Sequence, residues 1–171
     1  MEANKQKTEK YYACIDLKSF FASVECVERG LDPFEANLVV ADAARGRGAI
    51  CLAISPALKQ LGVRNRCRLY EIPSWIKYTI AKPRMKKYME YSTAIYRNYL
   101  DYLSPEDIHV YSIDECFLYL SPYLRLYKKS PREFTKLLMD SIYTKFGICA
   151  TGGVGTNMFL AKVALDVQAK H

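Results

Sequence analysis

The chain has 171 residues, enough for one well-packed domain with a small insert and too few for two domains of ordinary size. Half of its residues are hydrophobic, with only 8 Gly and 7 Pro, which excludes collagen-like, mucin-like and wholly disordered chains. A formal net charge of +7 leans toward polyanionic partners such as nucleic acid or nucleotide phosphates.

No run approaches the roughly eighteen apolar residues of a membrane span. Met1–Lys10 is polar and holds no signal-peptide core, so the reading is a cytoplasmic protein without a membrane partner. The six cysteines, Cys14, Cys26, Cys51, Cys67, Cys116 and Cys149, are widely spaced and form no CxxC pair. With only His109 and His171 to complete a zinc site, they are expected to be reduced and mostly buried.

In chain order the pattern alternates strand and helix. Tyr11–Leu17 reads as a buried strand ending in acid. Ser19–Arg29 follows as a short helix, with Phe20, Val24 and Val27 at helical spacing and Gly30 as its stop. Asn37–Ala41 and Ala49–Ile54 are two short apolar strands around the link ARGRG. Ser55 caps a helix with Pro56 in its first turn, ending at Gly62. Pro83–Tyr102 is the longest helical pattern, and its stripe of Met85, Tyr88, Met89, Ser92, Ile95, Tyr96 and Tyr99 is read as core. Ile108–Ser112 and Cys116–Leu120 are two strands joined tightly across Ile113–Glu115. Ser130, Pro131 and Glu133 start a helix whose buried face is Phe134, Leu137, Leu138, Ser141 and Ile142. Ile148–Val154 is the last strand, and Thr156 caps a final helix carrying Leu160, Val163, Ala164 and Val167. The chain is an α/β (α+β) fold: a ferredoxin-like mixed or antiparallel sheet covered by helices, interrupted by an insert over about 32–80. It stops at His171 just beyond a helical pattern, which is the pattern of a truncated protein.

The insert is one-signed. No acidic residue lies between Ala43 and Tyr70, while Arg45, Arg47, Lys59, Arg64, Arg66 and Arg68 do. Its glycines allow close backbone approach, so the lobe is either phosphate-facing or a solvated basic face.

Three carboxylates break otherwise apolar strands: Asp16 at the end of YYACID, and Asp114 with Glu115 between IHVYSI and CFLYL. Buried acids are costly unless something offsets their charge. Divalent metal ions would do so, in the manner of a two-metal phosphoryl-transfer site fed by acids from separate strands. Adjacent residues of a regular strand face opposite ways, so Asp114 and Glu115 can share a site only at a turn. The plainer alternative is that these acids form turns and end strands. Lys162 on the last helix and Lys59 on the helix opened by Ser55 could each meet triphosphate oxygens, or merely be solvated.

DLKSFFASVE (Asp16–Glu25), YSIDE (Tyr111–Glu115) and GVGTNMFLAKVA (Gly153–Ala164) follow one another at separations that resemble the Y-family, lesion-bypass DNA polymerases. With SPALKQLG (Ser55–Gly62), the wording is most similar to the bacterial UmuC-type branch, of the UmuC/DinB and ImpB/MucB/SamB kind. The resemblance runs from about Tyr11 to Lys170. It implies a palm at 11–31 and 81–170 with fingers at 32–80, and the thumb and little-finger domains of the family absent.

The same resemblance implies template-directed transfer of a deoxynucleotide from dNTP to a primer 3′-hydroxyl across damaged DNA, within bacterial DNA repair and the SOS response. It further implies low fidelity and no proofreading. Asp16, Asp114 and Glu115 match the catalytic metal-binding acids, and Leu17 the position whose backbone carbonyl faces a metal. The cofactor implied is Mg²⁺, two ions, with Mn²⁺ able to substitute. Phe21 matches the aromatic steric gate that excludes a 2′-hydroxyl. Lys18, Ser19, Phe20 and Phe21 match the segment along the triphosphate, with Lys162 and Lys59 its basic contacts. Implied partners are primer–template DNA, dNTP, and a sliding clamp or accessory subunit bound through C-terminal regions absent here. The implied place is the bacterial cytoplasm, at the nucleoid when active.

Three residues depart from the family pattern. Lys18 stands where many members have an acid or Asn, Pro56 where many have a phosphate-contacting tyrosine, and Met158 where many have lysine. None touches the three carboxylates. The fragment alone is expected to extend primers little or not at all. A palm-type nucleotide cyclase accounts for the acids but not for the basic insert or Phe21, and a non-catalytic DNA-binding or partner module is the other alternative.

Overall fold

The computed structural model describes residues 9–169. In chain order the elements are β1 (Tyr12–Leu17), α1 (Phe20–Glu28), β2 (Leu38–Val40), β3 (Ala53–Ile54), α2 (Pro56–Gln60), β4 (Thr79–Ala81), α3 (Met85–Leu100), β5 (Ile108–Ser112), β6 (Glu115–Tyr119), α4 (Ser121–Tyr127), α5 (Pro131–Phe146), β7 (Ala150–Gly155) and α6 (Met158–Ala164). Contacts divide the chain into two compact units. One takes in the described residues to Asp16, Asn98–Ser141 and those from Ala150 onward; the other is Leu17–Arg97 with Ile142–Cys149.

The first unit is built on a four-stranded sheet in the order β5-β6-β1-β7. β1 and β6 pair antiparallel, with Cys14 opposite Phe117 and Asp16 opposite Glu115. Side chains alternate along β1, so Cys14 and Asp16 share one face while Ala13 and Ile15 lie on the other. Cys14 and Phe117 form a buried cluster with Ala161 and Leu165, so α6 and the turn after it cover that face. The approach is close because β7 carries glycine there. A Cβ on Gly153 would lie 2.3 Å from the Leu165 nitrogen, and one on Gly155 2.5 Å from the Ala161 nitrogen.

The cap of α6 is Asn157, not Thr156: its side chain accepts from Leu160 N–H at 2.8 Å. Leu160, Val163 and Val167 are exposed, because contact with the sheet runs through Ala161 of the helix and Leu165 just after it. α4 has no counterpart in the sequence reading. It opens on Ser121 and Pro122, and its Tyr127 ring stacks on Phe134 of α5 with centroids 5.0 Å apart. α5 begins as expected, with Ser130 and Glu133 exchanging hydrogen bonds across the first turn.

The second unit carries a three-stranded sheet, β3-β2-β4. β2 pairs antiparallel with β3 and parallel with β4. The pattern of apolar residues did not reveal β4, because two of its three residues are exposed. The strand expected over Ala49–Ile54 shrinks to Ala53–Ile54; upstream of it, Ala49 and Cys51 bond to Leu69 and Cys67 instead. Ser55 caps α2 from a fully buried position, accepting from the Leu58 N–H as well as the Leu38 N–H. Along α3 the buried residues are Tyr88, Ile95, Asn98 and Tyr99, whereas Met85 and Met89 are 48% and 58% exposed. The core stripe is therefore rotated away from the two methionines. All six cysteines are free thiols, four of them buried.

Candidate active site

The acids that broke the strand pattern fall at one end of the first unit's sheet. Asp16 and Glu115 are directly opposed across β1 and β6, which points both side chains to the face covered by α6. Glu115 is 9% exposed. Its carboxylate accepts from the Cys14 thiol at 3.2 Å and from the Lys162 ammonium. Burial and the neighbouring carboxylate push the Cys14 thiol far above its ordinary range, so it serves as a neutral donor. Burial would lower the Lys162 pKa, but the hydrogen bond it donates to Glu115 and the charge of that carboxylate outweigh this and hold the ammonium above its usual value. Lys162 also lies 3.5 Å from Asp166 and 5.7 Å over the Tyr111 ring.

Asp114 is not in a strand. Ile113 and Asp114 form the two-residue tip between β5 and β6, where Ser112 and Glu115 pair. This is the turn that adjacent acids require if they are to serve one site. The Ser112 hydroxyl donates to Asp114 at 2.9 Å. A register shift between Val110 and Ser112 turns Tyr111 edge-on to Phe117, with centroids 5.6 Å apart. Among the described residues no three His, Cys, Asp or Glu side chains converge as they stand on one metal position. The donors are nonetheless carboxylate oxygens, the ligands of hard divalent cations, and an ammonium now neutralises the innermost of them.

The segment after β1 belongs to the second unit. The Lys18 N–H donates to the Cys149 carbonyl at 2.8 Å, and the Lys18 ammonium lies 5.7 Å over the Phe34 ring. Ser19 adopts the left-handed conformation at φ 48°, unusual for a non-glycine residue. Its hydroxyl is buried and unpartnered among the described residues. α1 therefore opens with no side-chain cap on its first N–H groups. Phe20 is buried core at 3% exposure, while Phe21 is half-buried, so the two adjacent rings do different things.

Lys59 is exposed on α2, and so are Arg45, Arg47, Arg64, Arg66 and Arg68. The insert's charge is thus all at the surface. Pro56 is the buried first residue of α2, and Met158 packs against the Cys14–Phe117 cluster. Both departures from the resembled pattern fill structural places.

The sequence pattern of the impB/mucB/samB family matches residues 15–166. The chain belongs to that family. Among its relatives, DNA polymerase IV 2 of Bacillus subtilis (strain 168) is 36% identical over 168 residues, covering 95% of this chain and 39% of the relative. DNA repair protein homolog YozK of the same organism is 39% identical over 102 residues, covering 59% of this chain and 89% of the relative. This impB/mucB/samB chain spans about two fifths of the length of the polymerase it matches. A Y-family DNA polymerase chimera of known structure superposes with a TM-score of 0.74 at 24% identity, over 91% of this chain and 45% of that one. The fold is therefore shared with Y-family polymerases.

Sequence reading missed a further buried acid in this impB/mucB/samB chain. Glu25 of α1 is fully buried, and Arg84 grips both its oxygens at 2.8 Å. Arg29 and the Tyr88 hydroxyl, the latter at 2.9 Å, complete its shell. Burial would raise the Glu25 pKa; the bonds from Arg84, Arg29 and Tyr88 outweigh that and hold it below the usual carboxylate range. Burial pushes Tyr88 up to about 12. The available signal was Glu25 itself, an acid lying between Val24 and Cys26 on a helix with an otherwise apolar face.

Proposed function

We propose that this chain is the palm and fingers of a template-directed, lesion-bypass DNA polymerase, with 11–31 and 81–170 as palm and 32–80 as fingers. The observation that carries the reading is the direct pairing of Asp16 with Glu115 beside an Asp114 turn, in a chain of the impB/mucB/samB family. Asp16, Asp114, Glu115 and the Leu17 carbonyl would hold two Mg²⁺ ions, with Mn²⁺ able to replace them. Such ions, when bound, favour the deprotonated primer 3′-hydroxyl and offset charge on the phosphate under attack.

The residues of the chain supply the rest. The uncapped N–H groups of Phe20 and its successors offer donors to triphosphate oxygens, in the manner of helix N-termini. Lys162, released from Glu115, and Lys59 add positive charge to the same polyphosphate. Phe21 occupies the space a ribose 2′-hydroxyl would need, which favours dNTP. The exposed arginines of the insert face polyanion, here primer–template DNA. The primer oxygen displaces pyrophosphate from the α-phosphate, with no side chain acting as a histidine-type base. The protein works in the bacterial cytoplasm, at the nucleoid, with a sliding clamp or accessory subunit docking outside these residues.

The test is primer extension by the natural protein that contains this chain, on undamaged and abasic templates, beside its Asp114→Asn version. Mg²⁺-dependent extension that disappears in the variant is expected. Equal extension by both would sink the assignment, and a cyclic nucleotide formed without primer would replace it with a cyclase.

A further inference from the structure

Phe21 does not stand alone. Its ring lies on that of Tyr88, with centroids 4.5 Å apart and planes inclined by only 15°. Tyr88 is fully buried, so the ring beneath Phe21 has no free volume into which to withdraw. The Tyr88 hydroxyl is tied at 2.9 Å to one Glu25 oxygen. That carboxylate is itself immobilised by the two-pronged grip of Arg84 and by Arg29. Arg84 lies one turn before Tyr88, and the Tyr88 N–H donates to its carbonyl at 3.2 Å. Glu25 in turn lies one turn after Phe21 on α1. One buried carboxylate therefore fastens the start of α3 to α1 at the level of the Phe21 ring.

We propose that Tyr88, locked by Glu25 and Arg84, is the positioning residue that sets the height and tilt of Phe21, and so the strictness with which ribonucleotides are refused. The inference rests on the reading of Phe21 as a sugar gate. An aromatic side chain in the first turn of a helix has staggered alternatives at χ1 and a broad χ2. A gate acts by excluding a single oxygen, so a ring free to tilt excludes it poorly. The flat stack removes that freedom on one side and leaves the half-exposed side to meet the sugar. Tyr88 has no exposed surface with which to touch a nucleotide, and acts only through Phe21.

The experiment measures kcat/KM for a single dNTP and the matching NTP with the natural protein containing this chain. Three variants are compared with wild type: Phe21→Ala, Tyr88→Leu and Tyr88→Phe. Phe21→Ala is expected to lose most of the dNTP preference. Tyr88→Leu removes the stack and should lower the preference about tenfold, chiefly by a rise in NTP incorporation. Tyr88→Phe keeps the ring and drops only the hydroxyl bond, so it should lie between, at about threefold, with a near wild-type melting midpoint. If Phe21→Ala collapses the preference while both Tyr88 variants keep the wild-type ratio, the positioning role is wrong and the gate stands. If Tyr88→Leu lowers dNTP and NTP incorporation equally, Tyr88 is structural only. If Phe21→Ala leaves the ratio untouched, the gate reading fails, and this inference with it.

Discussion

Glu25 and Glu115 are both buried acids with cationic neighbours, yet their surroundings differ in kind. Glu25 has every oxygen engaged by strong donors: two prongs of Arg84, one of Arg29 and a phenol. Glu115 has one lysine, 28% exposed and shared with Asp166, and a thiol, the weakest donor among polar side chains. Guanidinium forks are rigid and planar, whereas an ammonium on a four-carbon stem can leave without disturbing the backbone. Burial of an acid therefore does not by itself mark a working site. The number and mobility of its partners separate the two: Glu25 is gripped by rigid forks, and Glu115 by partners that can leave.

The largest effect that would sharpen this contrast is catalytic. Asp114→Asn, beside the exchangeable acid, should lower primer extension by on the order of 10³-fold while leaving the urea denaturation midpoint unchanged. Next comes stability. Glu25→Ala strands two guanidinium groups and should cost about 3 kcal/mol in urea unfolding, against about 1 kcal/mol for Glu115→Ala. Equal losses would break the comparison.

A smaller effect separates the two through ligand. Mg²⁺ at tenfold excess over its Kd should raise the unfolding free energy of this chain by about 1.4 kcal/mol, and Glu115→Gln should abolish the gain while Glu25→Gln keeps it. Smallest is a pH slope. The folded Glu25 carboxyl titrates below its ordinary 4.5, so the unfolded chain takes the proton first. The stability that Glu25 confers is present above about pH 4.5 and is lost as pH falls through its lower folded value. Subtracting the profile of Glu25→Gln isolates this slope from other acids, with Arg84, Arg29, Tyr88 and the nearby Glu28 as the groups that shape it.

Much of the fold was legible because it is locally encoded. The Ser55–Pro56 and Ser130–Glu133 helix starts are side chains acting on their own backbone, and both formed as expected. β4 was illegible because a three-residue strand with two exposed members has no period of its own; it exists only through its parallel ladder with β2. Met85 and Met89 misled because helical spacing gives a stripe without saying which of its edges meets the core. Asp16, Asp114 and Glu115 could be found because acids interrupt apolar strands. The Cys14 and Lys162 contacts to Glu115 could not, since they depend on strand register and on where α6 settles. Glu25 escaped notice because its partners Arg84 and Tyr88 lie some sixty residues downstream.

Gly153 and Gly155 bring the backbone of α6 down onto β7, so that helix is located by main chain rather than by side chains that could repack. Substitutions elsewhere in a core are absorbed by neighbouring rotamers, but here a methyl group meets atoms that cannot rotate away. The helix that would have to lift is the one bearing Lys162, so a change in volume at the sheet would be read out as a change in charge placement. In a saturation-mutagenesis survey scored for lesion tolerance, these two positions should be as intolerant as the carboxylates, though neither glycine has a side chain with which to do chemistry.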